Sequence, residues 1–454
     1  MTTTSVLGCA LVAGCTSTGT PSTPSAGSSL TAAGTSAGTT LTTTDWPTYH
    51  GDNARTGFSA ALAPAGTPTV AWHAPLDGAV YGQPLVIGGS ILAATENDTV
   101  YALDAGTGRV LWSTHVGTPV PLADLPCGDI DPLGITGTMA FDPATSRVFA
   151  VAEGTGGTHT LVGLDVHTGR VVVRVEVEPP HGDRLAHQQR AALTVLNGRV
   201  YVAYGGLYGD CANYIGSVVS VSTAGTEPIS YAVPTSREGG IWVPSGASVV
   251  GDTLLYSVGN GAAEGGDDYD GSQSVLALSP DLRRTDFFAP ATWADDDAND
   301  LDLGSSGATP LGPWVFVAGK RGIGYVLRAG SLGGIGGQVS QLPVCRAFGG
   351  TAVANGTIYL PCTDGTRALT IDASGTATVR WRSAVPANGS PTVGGGVVWV
   401  IQYPAGVLYT LNPATGAVLG QVNLGTVPHF ASPTLSGSHA YVGTMDGVTA
   451  VAGA

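Results

Sequence analysis

The chain has 454 residues, of which only 11% are charged and 68 are glycine, and its formal net charge is −15. That negative charge repels phosphate backbones and so excludes nucleic acid as a partner. So few charges, so much glycine and no long amphipathic helical period after the N-terminus exclude a helical bundle and fit an all-β chain.

The first segment, residues 1–15, reads MTTTSVLGCALVAGC. A short apolar run ending in small residues before a cysteine resembles an export signal with a lipobox, and Cys15 would carry the lipid. No Lys or Arg precedes the run. Residues 16–44 are almost wholly Thr, Ser, Gly, Ala and Pro; such a segment buries no core and is expected to be a disordered tether. No later stretch reaches the roughly 18 apolar residues of a membrane span. The expected location is therefore outside the cytoplasm, either at the extracellular face of the cytoplasmic membrane as a lipoprotein or secreted, with membrane contact only through the lipid anchor.

From residue 45 onward one phrase recurs: VYALDAGTGRVLW at 100–112, LVGLDVHTGRVVV at 161–173 and LYTLNPATGAVLG at 408–420. Each copy reads as a strand, a tight turn carrying Asp or Asn, Thr and Gly, and a second strand. Ahead of these lie hairpins in which small residues precede an apolar run, as in GQPLVIGGSILAAT at 82 and ASPTLSGSHAYVGT at 431. Small residues suit strands that crowd toward a central axis. Eight such hairpins predict an eight-bladed β-propeller of four-stranded antiparallel blades over residues 45–454, a single domain and a monomer. The turn markers Asp104, Asp165, Ser222, Ser279, Arg328, Asp372 and Asn412 lie further apart in the first half. Insertions, and with them a site, are expected there. The last copy lacks a fourth strand, whereas TVAWHAPL at 69–76 is a strand without a hairpin; the N-terminal strand is expected to complete the last blade and close the ring.

Apart from Cys9 and Cys15, the cysteines are Cys127, Cys211, Cys345 and Cys362. In an exported protein an even number predicts two disulfides, although four cysteines allow three pairings. Cys127 with Cys211 and Cys345 with Cys362 is the preferred pairing, the second because both lie in one blade. Lys320 is the sole lysine. As a compact charge it would donate to a carbonyl or a carboxylate. Two acidic loops, EGGDDYD at 264–270 and DDDANDLD at 295–302, lack EF-hand spacing. His181 and His187 do not have zinc spacing. Tyr204, Tyr208, Tyr214 and Trp293 are candidates for an exposed aromatic face that would bind sugar.

The opening DWPTYHGDNARTGFS, the LDAGTG repeat, GGIWVPSGASVVGDTLLYSVGN at 239–260 and AGKRGIGYVL at 318–327 resemble the pyrroloquinoline quinone (PQQ) propellers. This group joins quinoprotein alcohol dehydrogenases with non-catalytic relatives, such as the propeller lipoprotein of the outer-membrane barrel assembly machinery. The resemblance implies that Trp242 and Lys320 contact the cofactor. It further implies that Asn260, Asp302 and Asp210 bind calcium and that Asp302 is the catalytic base. Three features differ from the dehydrogenases: Cys127 stands alone in PCGD where many have adjacent cysteines, Asp210 is the one carboxylate in GLYGDCANY, and there is no haem-attachment motif. Each residue also has a structural use, Trp242 as filler between blades, Asn260 as a turn cap and Asp302 as loop charge. The first expectation is therefore a non-catalytic binding or scaffold module of the cell envelope, engaging an envelope protein or small ligand at the propeller face. The alternative is a quinoprotein dehydrogenase that oxidises an alcohol or sugar with PQQ and calcium. The two differ in geometry: the enzyme requires Trp242, Asn260, Asp302 and Lys320 to converge on one open funnel.

Overall fold

A computed structural model describes residues 38–453. The signal and lipobox expectation, Cys15 and all but the last residues of the 16–44 tether lie outside the described residues. Of the tether, Gly38–Thr44 is described; the Thr39 N–H donates to the Pro143 carbonyl at 2.8 Å and the Thr44 carbonyl accepts the Ser436 hydroxyl at 2.6 Å.

The described chain forms eight small, predominantly antiparallel sheets, the blades of a β-propeller. In chain order the innermost strands are Leu85–Ile87, Ala140–Asp142, Thr194–Leu196, Ser248–Val250, Thr309–Leu311, Ala352–Ala354, Thr392–Gly394 and Thr434–Ser436, which number blades 1 to 8. Each continues outward by hairpins. In blade 1, Ser90–Ala94, Thr99–Asp104 and Val110–His115 follow, the last with alternating exposed and half-buried residues. The second and third strands are buried on both faces because every blade is sandwiched between two others, which is why they read as unbroken apolar runs rather than as alternation. Blade 8 takes its outermost strand from the other end of the described chain: Thr69–Pro75 pairs antiparallel with Gly447–Ala452.

The recurring phrase has a packing cause. In blade 1 the Asp104 carboxylate accepts the Thr107 N–H (2.9 Å) and hydroxyl (2.7 Å), fixing the turn. Gly108 then adopts φ +72°, and a Cβ there would meet the Trp72 indole at 2.6 Å. Gly169 stands in the same way under Trp112, and Gly416 under Trp381. Each indole N–H donates to a carbonyl of the same turn, from Trp72 to Ala105, Trp112 to Val166 and Trp381 to Pro413. The outer tryptophan of one blade thus docks on the glycine of the next, and the repeat records this contact.

The segment at 45–59 has a role that its sequence did not suggest. It threads across the inner strands and bonds in turn with most blades: Trp46 with Val86, Pro47 with Phe141, Asn53 with Val249, Thr56 with Val353 and Gly57 with Val393. Arg55, 4% exposed, donates to the carbonyls of Tyr49, Leu193 and Ala247 and to the hydroxyls of Thr48 and Thr194. Fully buried His50 donates from Nδ1 to the Thr351 carbonyl and accepts the Ser432 hydroxyl at Nε2. Burial lowers its pKa to about 3, so it is neutral. The segment staples the blades together around the axis.

Candidate functional site

The connections that enter blades 1 to 6 and blade 8, with those between the second and third strands of blades 3, 4 and 5, meet around one cavity of about 360 Å³. Trp242, Asn260, Asp302, Lys320 and Asp210 all line it, so the expected site residues converge although they come from blades 3 to 5. Glycines allow the approach. A Cβ on Gly205 would lie 2.7 Å from the Trp242 Cβ, and one on Gly259 would lie 2.6 Å from Asp302 Oδ1 and 3.2 Å from the Trp242 indole nitrogen.

At one pole Lys320 Nζ donates to Asp300 Oδ1 at 2.5 Å and Asp302 Oδ2 at 2.8 Å. It also lies 5.9 Å from the centre of the Trp242 ring. Asp302 Oδ1 accepts the Asn260 N–H at 2.6 Å. Burial raises the pKa of Asp302 despite the ammonium beside it. Burial works to lower that of Lys320, but the Asp302 and Asp300 carboxylates outweigh it and hold it above the ordinary value, so the ammonium is charged. The acidic stretches hold these loops. Asp295 and Asp296 pair with Arg321, and Asp270 caps its own loop at Ala262, Ala263 and Ser272.

At the other pole stands Arg190, 8% exposed, which the sequence reading missed because no motif surrounds it. Its guanidinium lies 5.3 Å from the ring centres of both Tyr81 and Phe430 and donates to the His429 carbonyl at 2.8 Å. No carboxylate among the described residues forms an ion pair with it. Phe430 lies 6.1 Å from Trp242 and 6.5 Å from Phe348, so aromatic rings wall the space between the two cations. Burial and the adjacent Arg190 lower the His429 pKa to about 4, leaving it neutral.

The calcium set expected at Asn260, Asp302 and Asp210 is not assembled. Asp210 accepts the Tyr214 hydroxyl at 2.6 Å, Asp302 is committed to Lys320 and the Asn260 N–H, and no group of three His, Cys, Asp or Glu among the described residues is placed to hold a metal. The sugar-binding face is not present either. Tyr204 and Tyr214 are buried and Trp293 packs on Tyr269 at 5.2 Å, which leaves only Tyr208 of the four exposed. Their rings serve the core: the Tyr204 hydroxyl donates to the Val177 carbonyl. His187 is buried, its Nδ1 donating to the Asp183 carbonyl and its Nε2 accepting the Ile215 N–H. The disulfides join Cys127 to Cys211 and Cys345 to Cys362. The first ties the loop carrying Asp129 and Ile130, which line the cavity, to the loop carrying Asp210.

Behind Arg190, Glu96 and Asp98 are 2% and 0% exposed. Both oxygens of Asp98 and one of Glu96 have no hydrogen-bond partner among the described residues. Burial raises each pKa to about 8. The folded protein then keeps protons that the unfolded chain releases, so these groups lower stability progressively as pH rises from about 4 to about 8. Asp98→Asn is expected to raise Tm by at least about 2 °C at pH 8 and to leave it unchanged near pH 4, measured by thermal scans at both values. An equal shift at both values would refute the buried-charge cause.

Residues 60–264 match the family described as outer membrane protein assembly factor BamB. The dehydrogenase subunit of a quinone alcohol dehydrogenase from Gluconobacter oxydans is 27% identical over 258 residues, 47% of this chain and 32% of that protein. The matched stretch is thus about a third of that relative's length. A polyvinylalcohol dehydrogenase from Sphingopyxis sp. is 26% identical over 88% of this chain and 69% of its own. The crystal structure of the quinohemoprotein alcohol dehydrogenase from Comamonas testosteroni superposes with a TM-score of 0.67 at 16% identity, covering 90% of this chain and 80% of that one, a likeness of fold. The chain is thus similar to the PQQ-like β-propellers, with the BamB family and quinone alcohol dehydrogenases among the proteins it matches.

Proposed function

We propose that the cavity binds a planar, anionic quinone cofactor of the PQQ type and that the protein oxidises an alcohol. The convergence of Trp242, Asp302 and Lys320 on one open cavity carries this reading. The residues present suit such a group: aromatic walls at Trp242 and Phe430, and cations at each end, of which Arg190 has no carboxylate partner among the described residues. A quinone bound there would supply the acceptor for hydride. Asp302 would take the hydroxyl proton of the alcohol, since its raised pKa makes it a stronger base than an ordinary carboxylate. Lys320 would hold Asp302 in place and stabilise developing oxyanion charge, while Phe348, Phe430 and Ile130 exclude water from the reacting atoms. The residues do not form a calcium cage, and no step is assigned to that ion.

We extend the proposal to export with a lipid at Cys15; the two disulfides support an oxidising compartment. A second reading, a non-catalytic binding module at the propeller face, is favoured by the unassembled calcium set and by the BamB description of the matching family.

Calorimetric titration of PQQ into the purified chain tests the reading. Micromolar or tighter binding is expected, lost in Trp242→Ala and weakened in Arg190→Ala, together with alcohol-dependent reduction of an artificial electron acceptor. Absence of binding would sink it in favour of the binding module.

A further inference from the structure

We infer that Lys320 is the resident cation of this site: its ammonium stands where a divalent ion would be held, so the cavity takes its ligand without metal. The inference concerns the pocket proposed above and rests on that reading only for the identity of the ligand.

Calcium requires six to eight oxygens free to turn toward it. Here the oxygens facing Lys320 are already committed. Asp302 Oδ1 accepts the Asn260 N–H and Oδ2 accepts Lys320; Asp300 Oδ1 accepts both Lys320 Nζ and, at 3.1 Å, Asn260 Nδ2. The Asn260 oxygen is fixed by a chain of donors. Gln273 Oε1 accepts the Leu303 N–H at 2.7 Å, which leaves Gln273 Nε2 to donate to Asn260 Oδ1 at 3.2 Å. Asn260 therefore turns its oxygen to Gln273 and its amide hydrogens toward Asp300.

The backbone admits little rearrangement. Lys320 donates its own N–H to the Asp302 carbonyl at 2.9 Å. A Cβ on Gly304 would lie 2.4 Å from the Gly259 nitrogen, and one on Gly319 would lie 2.3 Å from the Asp302 carbonyl oxygen, so three loops meet backbone to backbone. The Lys320 side chain is 12% exposed and that of Asp302 is 7% exposed. A divalent ion added beside a buried ammonium would meet strong repulsion at this distance. One compact point charge, unlike the fork of an arginine, can sit between two carboxylates in this way, and this is the chain's sole lysine.

Removing the ammonium should convert the cluster into a divalent-cation site. Terbium luminescence sensitised by Trp242, with calcium as competitor and no quinone present, measures this directly, so failure here is separate from failure of the quinone reading. In the wild-type chain no saturable Trp242-sensitised signal is expected below millimolar terbium. Lys320→Met and Lys320→Gln are each expected to gain a calcium-displaceable signal saturating at least about tenfold lower, and to lose it again when combined with Asp302→Asn. Gain in either folded variant, checked by circular dichroism, supports the inference. A wild-type chain that binds as tightly as the variants, or folded variants with no gain, overturns it.

Discussion

Asp302→Asn is expected to lower the rate of alcohol oxidation by about 10²- to 10⁴-fold, the usual contribution of a positioned general base. The substitution is close to isosteric. The amide oxygen can still accept the Asn260 N–H, and Lys320 keeps Asp300 at 2.5 Å, so the loops and the cation remain in place. Quinone affinity measured by calorimetry should therefore change little while turnover falls, a loss in kcat and not in binding. The pH profile gives a further check. Burial raises the Asp302 pKa, and the base is active only when ionised. Wild-type rates should climb with pH to a plateau reached above the range of an ordinary carboxylate, and the residual rate of the variant should lack that limb. A variant that keeps a third or more of wild-type turnover would remove Asp302 from the mechanism, whatever the affinity for the quinone.

The second large effect concerns folding. Arg55→Ala is expected to cost about 3 kcal/mol or more, read as a lower urea midpoint with an unchanged slope. The guanidinium donates at 2.8 Å to Ala247, at 3.1 Å to Tyr49, at 3.0 Å to Leu193, and at 2.6 and 2.8 Å to Thr48 and Thr194, all buried. Truncation leaves those acceptors without a donor in a place that water reaches poorly, the costly half of a broken hydrogen bond. Arg55→Lys should recover only part of the loss, because one ammonium cannot span contacts on both blades 3 and 4 and the N-terminal segment. A loss below 1 kcal/mol would mean that the segment at 45–59 does not staple the blades.

The repeat was readable because its cause is local. Asp104, Thr107 and Gly108 build one turn within a few residues, and the tryptophan that docks on such a turn recurs at the same place in three outer strands, at Trp72, Trp112 and Trp381. Small residues such as those of Ala352–Ala354 marked the inner strands for the same reason. Trp242, Asn260, Asp302 and Lys320 were readable through their motifs and converge as the enzyme reading required. Arg190, His429 and Phe430 were not, since they sit in unremarkable loops of blades 3 and 8 and become a site only where those loops meet. Tyr204 and Tyr214 misled because the sequence does not say which faces of a strand or a loop the neighbouring blades cover.

The sequence by itself determined the number of blades, because the blade repeat follows from contacts between near neighbours and from glycine, aspartate and tryptophan at fixed spacing. The tertiary structure decided which charges meet. Whether Asp302 faces a metal or an ammonium, whether Arg190 finds a carboxylate, and whether Glu96 and Asp98 are solvated depend on the distances between loops of different blades. Coulomb interaction and desolvation change steeply over a few ångströms, and those separations are set only when the blades pack.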